Sequence, residues 1–166
     1  MSVLAPELLA RLFDREPVAR LAVRNDTDVP EVMPIVFSRV GSCLFSPIDG
    51  KPKSSARLAR LRYIERCPQV GLVLDRYADD WRELWWLRIS ALATIAVGHH
   101  AQWDAAVAAL AAKYPQYRST PLFSGEPTMI CFEPLTVRAW AAVGLERWAQ
   151  DYPADTAPRA TSTDDA

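Results

Sequence analysis

Hydrophobic and polar positions change their period several times along this chain, and the changes divide it into predicted helices and strands. Leucines at helical spacing predict a short amphipathic helix over residues 6–14. The stretches that follow alternate between apolar and polar residues or are rich in β-branched residues, which predicts strands. Consecutive antiparallel strands combined with helices favour an α+β barrel. Strands are predicted over residues 18–23, 31–40, 43–48, 69–77, 84–97, 128–132 and 136–141, and further helices over 53–66 and 102–114.

The composition indicates one folded domain followed by a tail. The chain has 166 residues, and 50% of them are apolar, which is enough for a real core. From residue 151 onward the sequence has little to bury. We therefore expect one folded domain over residues 1–150 and a disordered C-terminal tail over residues 151–166.

The net charge and the cysteines limit which binding partners and which cellular compartment are expected. The net charge is −1, so no general attraction to nucleic acid or to a membrane surface is expected. No apolar stretch is long enough to span a bilayer, and the N-terminal residues lack the apolar core of a signal peptide. The three cysteines have no metal-binding spacing, so we expect free thiols, no metal site and a cytoplasmic location.

A basic segment over residues 49–66 is the most informative part of the sequence. Lys53, Arg57 and Arg60 would share one stripe of the predicted helix, and Ser54 and Ser55 lie near its start. A helix N-terminus beside a basic stripe can hold an anion such as a phosphate. The alternative is an ordinary solvated helix face, and the sequence pattern leaves both open.

Aromatic and histidine clusters carry weaker signals. Alternation in the strand over residues 84–97 places Trp85 and Trp86 on opposite faces, and either could stack on a planar ring, pack in a core or lie in an interface. His99 and His100 have no metal-ligand partners at suitable spacing, which favours a solvated turn. No nucleotide-binding or hydrolase motif occurs, so a cofactor is expected to supply the chemistry.

Three segments together resemble a known superfamily. Residues 19–77, the segment DDWRELWWLRISALATI and the closing MICFEPLTVRAW are similar to the pyridoxamine 5′-phosphate oxidase-like flavin-binding split barrels, and to their coenzyme F-420-dependent branch. The resemblance implies an α+β, mainly β fold, a six-stranded antiparallel split β-barrel with short flanking helices. It also implies a homodimer with cofactor sites at the interface.

The resemblance further implies which residues hold the cofactor. The ring would lie against Met33, Pro34, Ile35 and Val36. The phosphate would be held by Ser46, Pro47, Lys51, Lys53, Ser54, Ser55, Arg57 and Arg60. Trp85, Trp86 and Arg88 of the second subunit would complete the site. Coenzyme F-420 carries more anionic groups than flavin mononucleotide (FMN), so the row of basic residues favours F-420, with FMN as the alternative.

Four functions therefore remain as hypotheses. The first is an F-420-dependent oxidoreductase that transfers hydride between the cofactor and an unidentified small molecule. An FMN-dependent oxidase or reductase and a non-catalytic cofactor carrier are the alternatives, and a haem protein with His99 or His100 as the axial ligand is the fourth. No catalytic residue is assigned, and Tyr77 and Arg88 are only candidates for a proton donor.

Overall fold

A computed structural model describes residues 4–48, 56–123 and 125–152, with the side chains of residues 56–58 outside that description. In this part of the chain seven strands and four α-helices form one sheet with flanking helices. The elements are α1 (Pro6–Arg15), β1 (Ala19–Arg24), β2 (Pro30–Ile35), β3 (Ser38–Val40), β4 (Cys43–Pro47), α2 (Ala56–Arg66), β5 (Gln69–Arg76), β6 (Trp85–Val97), α3 (Trp103–Lys113), β7 (Thr128–Ala141) and α4 (Leu145–Asp151).

The seven strands pair antiparallel in the order β2-β1-β5-β6-β7-β4-β3. β2 and β3 therefore lie at opposite edges, although only Val36 and Phe37 separate them in sequence. A flat sheet of seven strands would be about 29 Å wide, whereas this link spans about 10 Å. The sheet must curl until its two edges meet at residues 36–37, which we call the crossover.

The inside of the curled sheet is the main core. Leu21, Leu72 and Ile89 are neighbours in register on β1, β5 and β6, and each is at most 1% exposed. Leu12 of α1 and Ile64 of α2 pack into the same cluster. Each such side chain contributes about 1.5–3 kcal/mol when it is fully buried. A second, smaller cluster lies between α3 and the strands β4 and β7.

The antiparallel α+β class expected from the sequence is confirmed, but the expected six strands are seven. The strand predicted over residues 31–40 divides at the crossover, because the chain leaves one sheet edge there and joins the other. The two closing strands form one strand, β7. Its register with β6 shifts between Ser90 and Ala91, so Leu135 is an extra residue and Pro134 sits at a bulge, where its missing N–H is tolerated.

The C-terminal helix α4 was not predicted, and it carries the chain back onto the core. Tyr152, just after α4, is 5% exposed and donates a hydrogen bond to Glu16 Oε1 at 2.8 Å. Core contacts thus reach at least two residues past the expected domain boundary, and residues 153–166 lie outside the described part. The three cysteines are free thiols. Among the described residues, no helix has both the length and the apolar character needed to cross a membrane.

Candidate functional site

The basic helix and the strand expected to hold the cofactor ring meet in the structure. Arg60 of α2 is 6% exposed, and its Nη1 lies 3.7 Å from Sδ of Met33 on β2. Ile64, one turn further along, packs in the barrel core and fixes α2 in this position. A guanidinium held in a poorly solvated place attracts an anion more strongly than one in water. Arg60 is thus placed to act on a group bound beside β2.

The remaining predicted residues of β2 and β4 lie around the crossover. Ile35 faces the core, Pro34 faces outward, and Val36 packs against the cluster under α3. Ser46 is 1% exposed and directly follows Phe45, the register partner of Ser38. Pro47 is buried beside it and pairs with β7. The meeting of the two sheet edges therefore brings these two predicted segments close together.

Part of the predicted phosphate site falls outside the described residues. Lys51, Lys53, Ser54 and Ser55 belong to this group. The backbone of Arg57 belongs to α2, but its side chain is also outside the description. For these five residues the role in anion binding stays a prediction.

The two adjacent tryptophans of β6 have different surroundings. Trp85 is 3% exposed, and its ring packs 5.2 Å from that of Trp148 and 6.2 Å from that of Tyr152, which stabilises α4 against the core. Trp86 and Arg88 face outward, where the Arg88 guanidinium lies 5.2 Å from the Trp86 ring centroid as a cation–π pair. Trp86 and Arg88 therefore share one outward surface, whereas Trp85 packs in the core behind it.

A groove of about 450 Å³ opens on the outward face of β5, β6 and β7. We call it the aromatic groove. Its lining includes Val73, Asp75, Tyr77, Trp86, Arg88 and Trp140. Asp75 is already ion-paired with Arg20 on the neighbouring strand. The groove is therefore apolar and aromatic, and its acidic group is compensated.

Neither Arg138 nor Trp140 is among the site residues predicted from the sequence, although Trp140 is an aromatic residue of the same kind as Trp85 and Trp86. Trp86 pairs with Trp140 in the β6–β7 register, and Arg88 pairs with Arg138. The alternation of TVRAW places Arg138 and Trp140 on one strand face, and this was the available signal. Alternation does not show which strand lies next to this one, because the β6–β7 register joins residues about fifty positions apart in sequence.

Polar side chains also hold the crossover. The Tyr114 hydroxyl accepts a hydrogen bond from the Phe37 backbone N–H at 2.9 Å and lies 2.7 Å from the Phe37 carbonyl oxygen, to which it donates. Burial raises the pKa of Tyr114, so the hydroxyl keeps its proton. These bonds fix the backbone next to Val36.

Lys113 is a second polar group at the crossover, and its side chain is half-buried. Its Nζ donates to the Phe13 carbonyl oxygen at 2.7 Å and lies 3.8 Å from the Phe37 ring centroid. Burial lowers the pKa of Lys113 to about 7, with Asp14 and Glu16 acting in the opposite direction. Lys113 is therefore an ionisable group close to the candidate site.

His99 and His100 lack described partners that would complete a metal site. His99 is exposed, and Nδ1 of His100 accepts a hydrogen bond from the Gln102 backbone N–H at 3.0 Å. Among the described residues, no group of three histidine, cysteine or carboxylate side chains could hold a metal ion. The pair lies in the turn before α3.

No protein-family model and no curated protein matches this sequence. Solved structures do match its shape. HutZ, the haem storage protein from Vibrio cholerae, is 17% identical with a TM-score of 0.63, over 84% of this chain and 95% of that one. An FAD-binding protein from Mesorhizobium loti is 17% identical with a TM-score of 0.58, over 82% and 94%.

A candidate pyridoxamine 5′-phosphate oxidase from Listeria innocua is 18% identical with a TM-score of 0.52, over 80% of this chain and 94% of that one. The chain therefore has the same split-barrel fold as these solved structures. At these identities the likeness establishes the split barrel alone, and function has to be argued from the side chains.

Proposed function

We propose that this split barrel is a coenzyme F-420-dependent oxidoreductase that transfers hydride between the cofactor and a small molecule. The observation that carries the proposal is the contact between Arg60 and Met33, which joins the basic helix to the strand expected to hold the ring. Of the six basic residues at positions 51–66, Arg62 and Arg66 pair with Asp26 and Asp28, and a row of four belongs to the predicted phosphate site: Lys51, Lys53, Arg57 and Arg60. F-420 carries a phosphodiester and several glutamate carboxylates, so it uses such a row more fully than FMN does.

The residues around the crossover fit a flat cofactor with an anionic chain. Met33 supplies an apolar contact, and Arg60 supplies a buried positive charge beside it, while Ile35 anchors the strand in the core. When bound, the cofactor would supply the hydride. The protein would hold the ring against β2, exclude water and orient the acceptor. The hydrogen bonds of Tyr114 to Phe37 keep the backbone at this position rigid.

The proposed partner is a second copy of the chain, bound through the outward face of the sheet. Small residues form a row in register across that face, at Ala22, Gly71, Ser90 and Thr136. A row of small side chains allows another surface to approach closely. A two-fold contact through this face would bring Trp86 and Arg88 of one subunit to the cofactor of the other. The cytoplasm is the proposed compartment because it keeps the three thiols reduced.

Alternative functions differ in the ligand they require. An FMN enzyme or a flavin carrier would use the same residues, and the Mesorhizobium neighbour is an FAD-binding protein. Haem binding is suggested by HutZ. His100 fits it poorly, because Nδ1 accepts a hydrogen bond and the neutral ring then carries its proton on Nε2. Ligation through Nε2 would break the hydrogen bond at Nδ1, which makes His100 the less favoured ligand, and a Soret shift on titration with haem would support this alternative.

The proposal is tested by changing Arg60 and measuring F-420 binding. Arg60→Gln should weaken binding roughly 10- to 150-fold, the range for losing a hydrogen bond to a charged group. Arg62→Gln is the matched control, because Arg62 lies on another stripe of α2 and pairs with Asp26. Equal affinity of the Arg60 variant and the wild type, with both proteins folded by circular dichroism, would remove the main support for the site.

A further inference from the structure

Four side chains form a compact block on the outward face of β6 and β7. Trp86 opposes Trp140, and Arg88 opposes Arg138 one step along the ladder. Residues two apart on a strand share a face, so both pairs point to the same side of the sheet. Directly opposite residues in an antiparallel pair lie about 4.5–5.5 Å apart at Cα. Two aromatic rings and two guanidinium groups therefore lie next to each other.

The arginine pair is unfavourable for the isolated fold. Like charges directly opposite each other on a sheet are destabilising. Arg88 and Arg138 are both exposed, and within the described ranges neither forms an ion pair. The acid nearest in register is Asp75, whose carboxylate already pairs with Arg20. The block therefore carries positive charge that no described acidic residue compensates through an ion pair.

The tryptophan pair supplies the apolar half of the block. Trp140 is 44% exposed, and Trp86 is half-buried in the wall of the aromatic groove. The Arg88 guanidinium lies over the Trp86 ring, 5.2 Å from its centroid, so the positive charge is in direct contact with the aromatic surface. A planar molecule that stacks on the indole rings of Trp86 and Trp140 would therefore place a substituent on its own edge close to the two arginines.

We propose that this block binds the substrate of the oxidoreductase, and that the substrate is a planar, conjugated molecule with a carboxylate or similar anionic group. The inference rests on the proposed function for the identity of the ligand as a substrate. Binding to the block itself needs no cofactor. Planar guanidinium groups match a carboxylate in shape, and two of them can engage both of its oxygen atoms. The tryptophans select the flat ring, and the arginines select the charge.

Two probes of the same shape and different charge test the block. Cofactor-free protein is titrated by calorimetry with 2-naphthoate and with 2-naphthamide. We expect the carboxylate to bind roughly tenfold more tightly, which is the lower end for a hydrogen bond to a charged group. Arg138→Gln should remove this preference and leave naphthamide binding unchanged. Trp140→Leu should weaken both probes.

Arg147→Gln is the matched control, since Arg147 is an exposed arginine on α4 outside the block. It should leave both affinities at the wild-type value. Arg138→Gln should also unfold at the same temperature as the wild type or slightly higher, because it relieves a like-charge contact. Weaker probe binding without lost stability separates a binding residue from a structural one.

Three results would overturn the inference. The first is equal affinity of the wild type for the two probes. The second is a shift of the monomer–dimer equilibrium in the Arg138 variant with unchanged probe binding, which would make Arg138 an interface residue only. The third is an equal loss of F-420 affinity in that variant, which would make Arg138 part of the cofactor site and not of a substrate site. Failure of F-420 and FMN to bind at all would refute the proposed function but leave the probe result intact.

Discussion

Removing the Tyr114 hydroxyl should destabilise the barrel where its two edges meet. This hydroxyl accepts a hydrogen bond from the Phe37 N–H at 2.9 Å and donates to the Phe37 carbonyl oxygen at 2.7 Å. The Pro17 carbonyl oxygen, at 3.0 Å, is a second acceptor within reach. Tyr114 and Phe37 are 4% and 1% exposed, so water cannot readily replace the hydroxyl in Tyr114→Phe.

The magnitude follows from the groups left behind. The buried Phe37 N–H would lose its acceptor, which costs about 1–3 kcal/mol, and the lost donated bond adds about 1 kcal/mol. A total of about 3 kcal/mol lowers the melting temperature of a domain of this size by roughly 6–12 °C. The phenyl ring of the variant still fills the same space, so no cavity effect enters.

Thermal unfolding followed by circular dichroism measures this change. Tyr77→Phe is the control, because the Tyr77 side chain lies on the surface with 83% of the residue exposed. We expect the control to melt with the wild type. If Tyr114→Phe also melts within about 1 °C of the wild type, the hydroxyl does not stabilise the crossover and the reasoning is refuted.

Two further perturbations follow from the same structure. Burial lowers the pKa of Lys113 to about 7, so between that value and the unfolded value near 10.5 the unfolded chain binds the extra proton. Wild-type stability to urea should therefore contain a component that rises with pH across this window, and Lys113→Met should lose it; identical pH profiles would contradict the assignment. Gly71→Leu adds a large side chain to the outward row of small residues and should turn the proposed dimer into a monomer in sedimentation velocity. Ala112→Leu, which adds a leucine at an exposed position of α3, should not.

Much of the fold follows from local pattern, and the main error shows where local pattern ends. The strands of the barrel interior were recognisable because their apolar residues alternate or run continuously. The segment 31–40 is equally rich in strand-forming residues throughout, so nothing local marks a break at Val36–Phe37. The break arises because β2 pairs with β1 while β3 pairs with β4, and those pairings are set by distant parts of the chain.

The candidate site was likewise predictable only in part from the sequence. Met33 and Arg60 lie 27 positions apart, and the resemblance to a known superfamily brought them into one site before their contact was known. Alternation already separates Trp85 from Trp86, since neighbours on a strand face opposite sides. Arg138 and Trp140 could not be joined to Arg88 and Trp86 from sequence, because the β6–β7 register includes a bulge that shifts it.

The first experiment on this protein should be a parallel fluorescence titration of cofactor-free protein with coenzyme F-420 and with FMN. Six tryptophans provide the donor signal, and both ligands absorb in the near ultraviolet. An F-420-dependent oxidoreductase should bind F-420 tightly and FMN weakly. Tight binding of FMN with weak binding of F-420 would contradict that function and make the protein a flavin-binding split barrel.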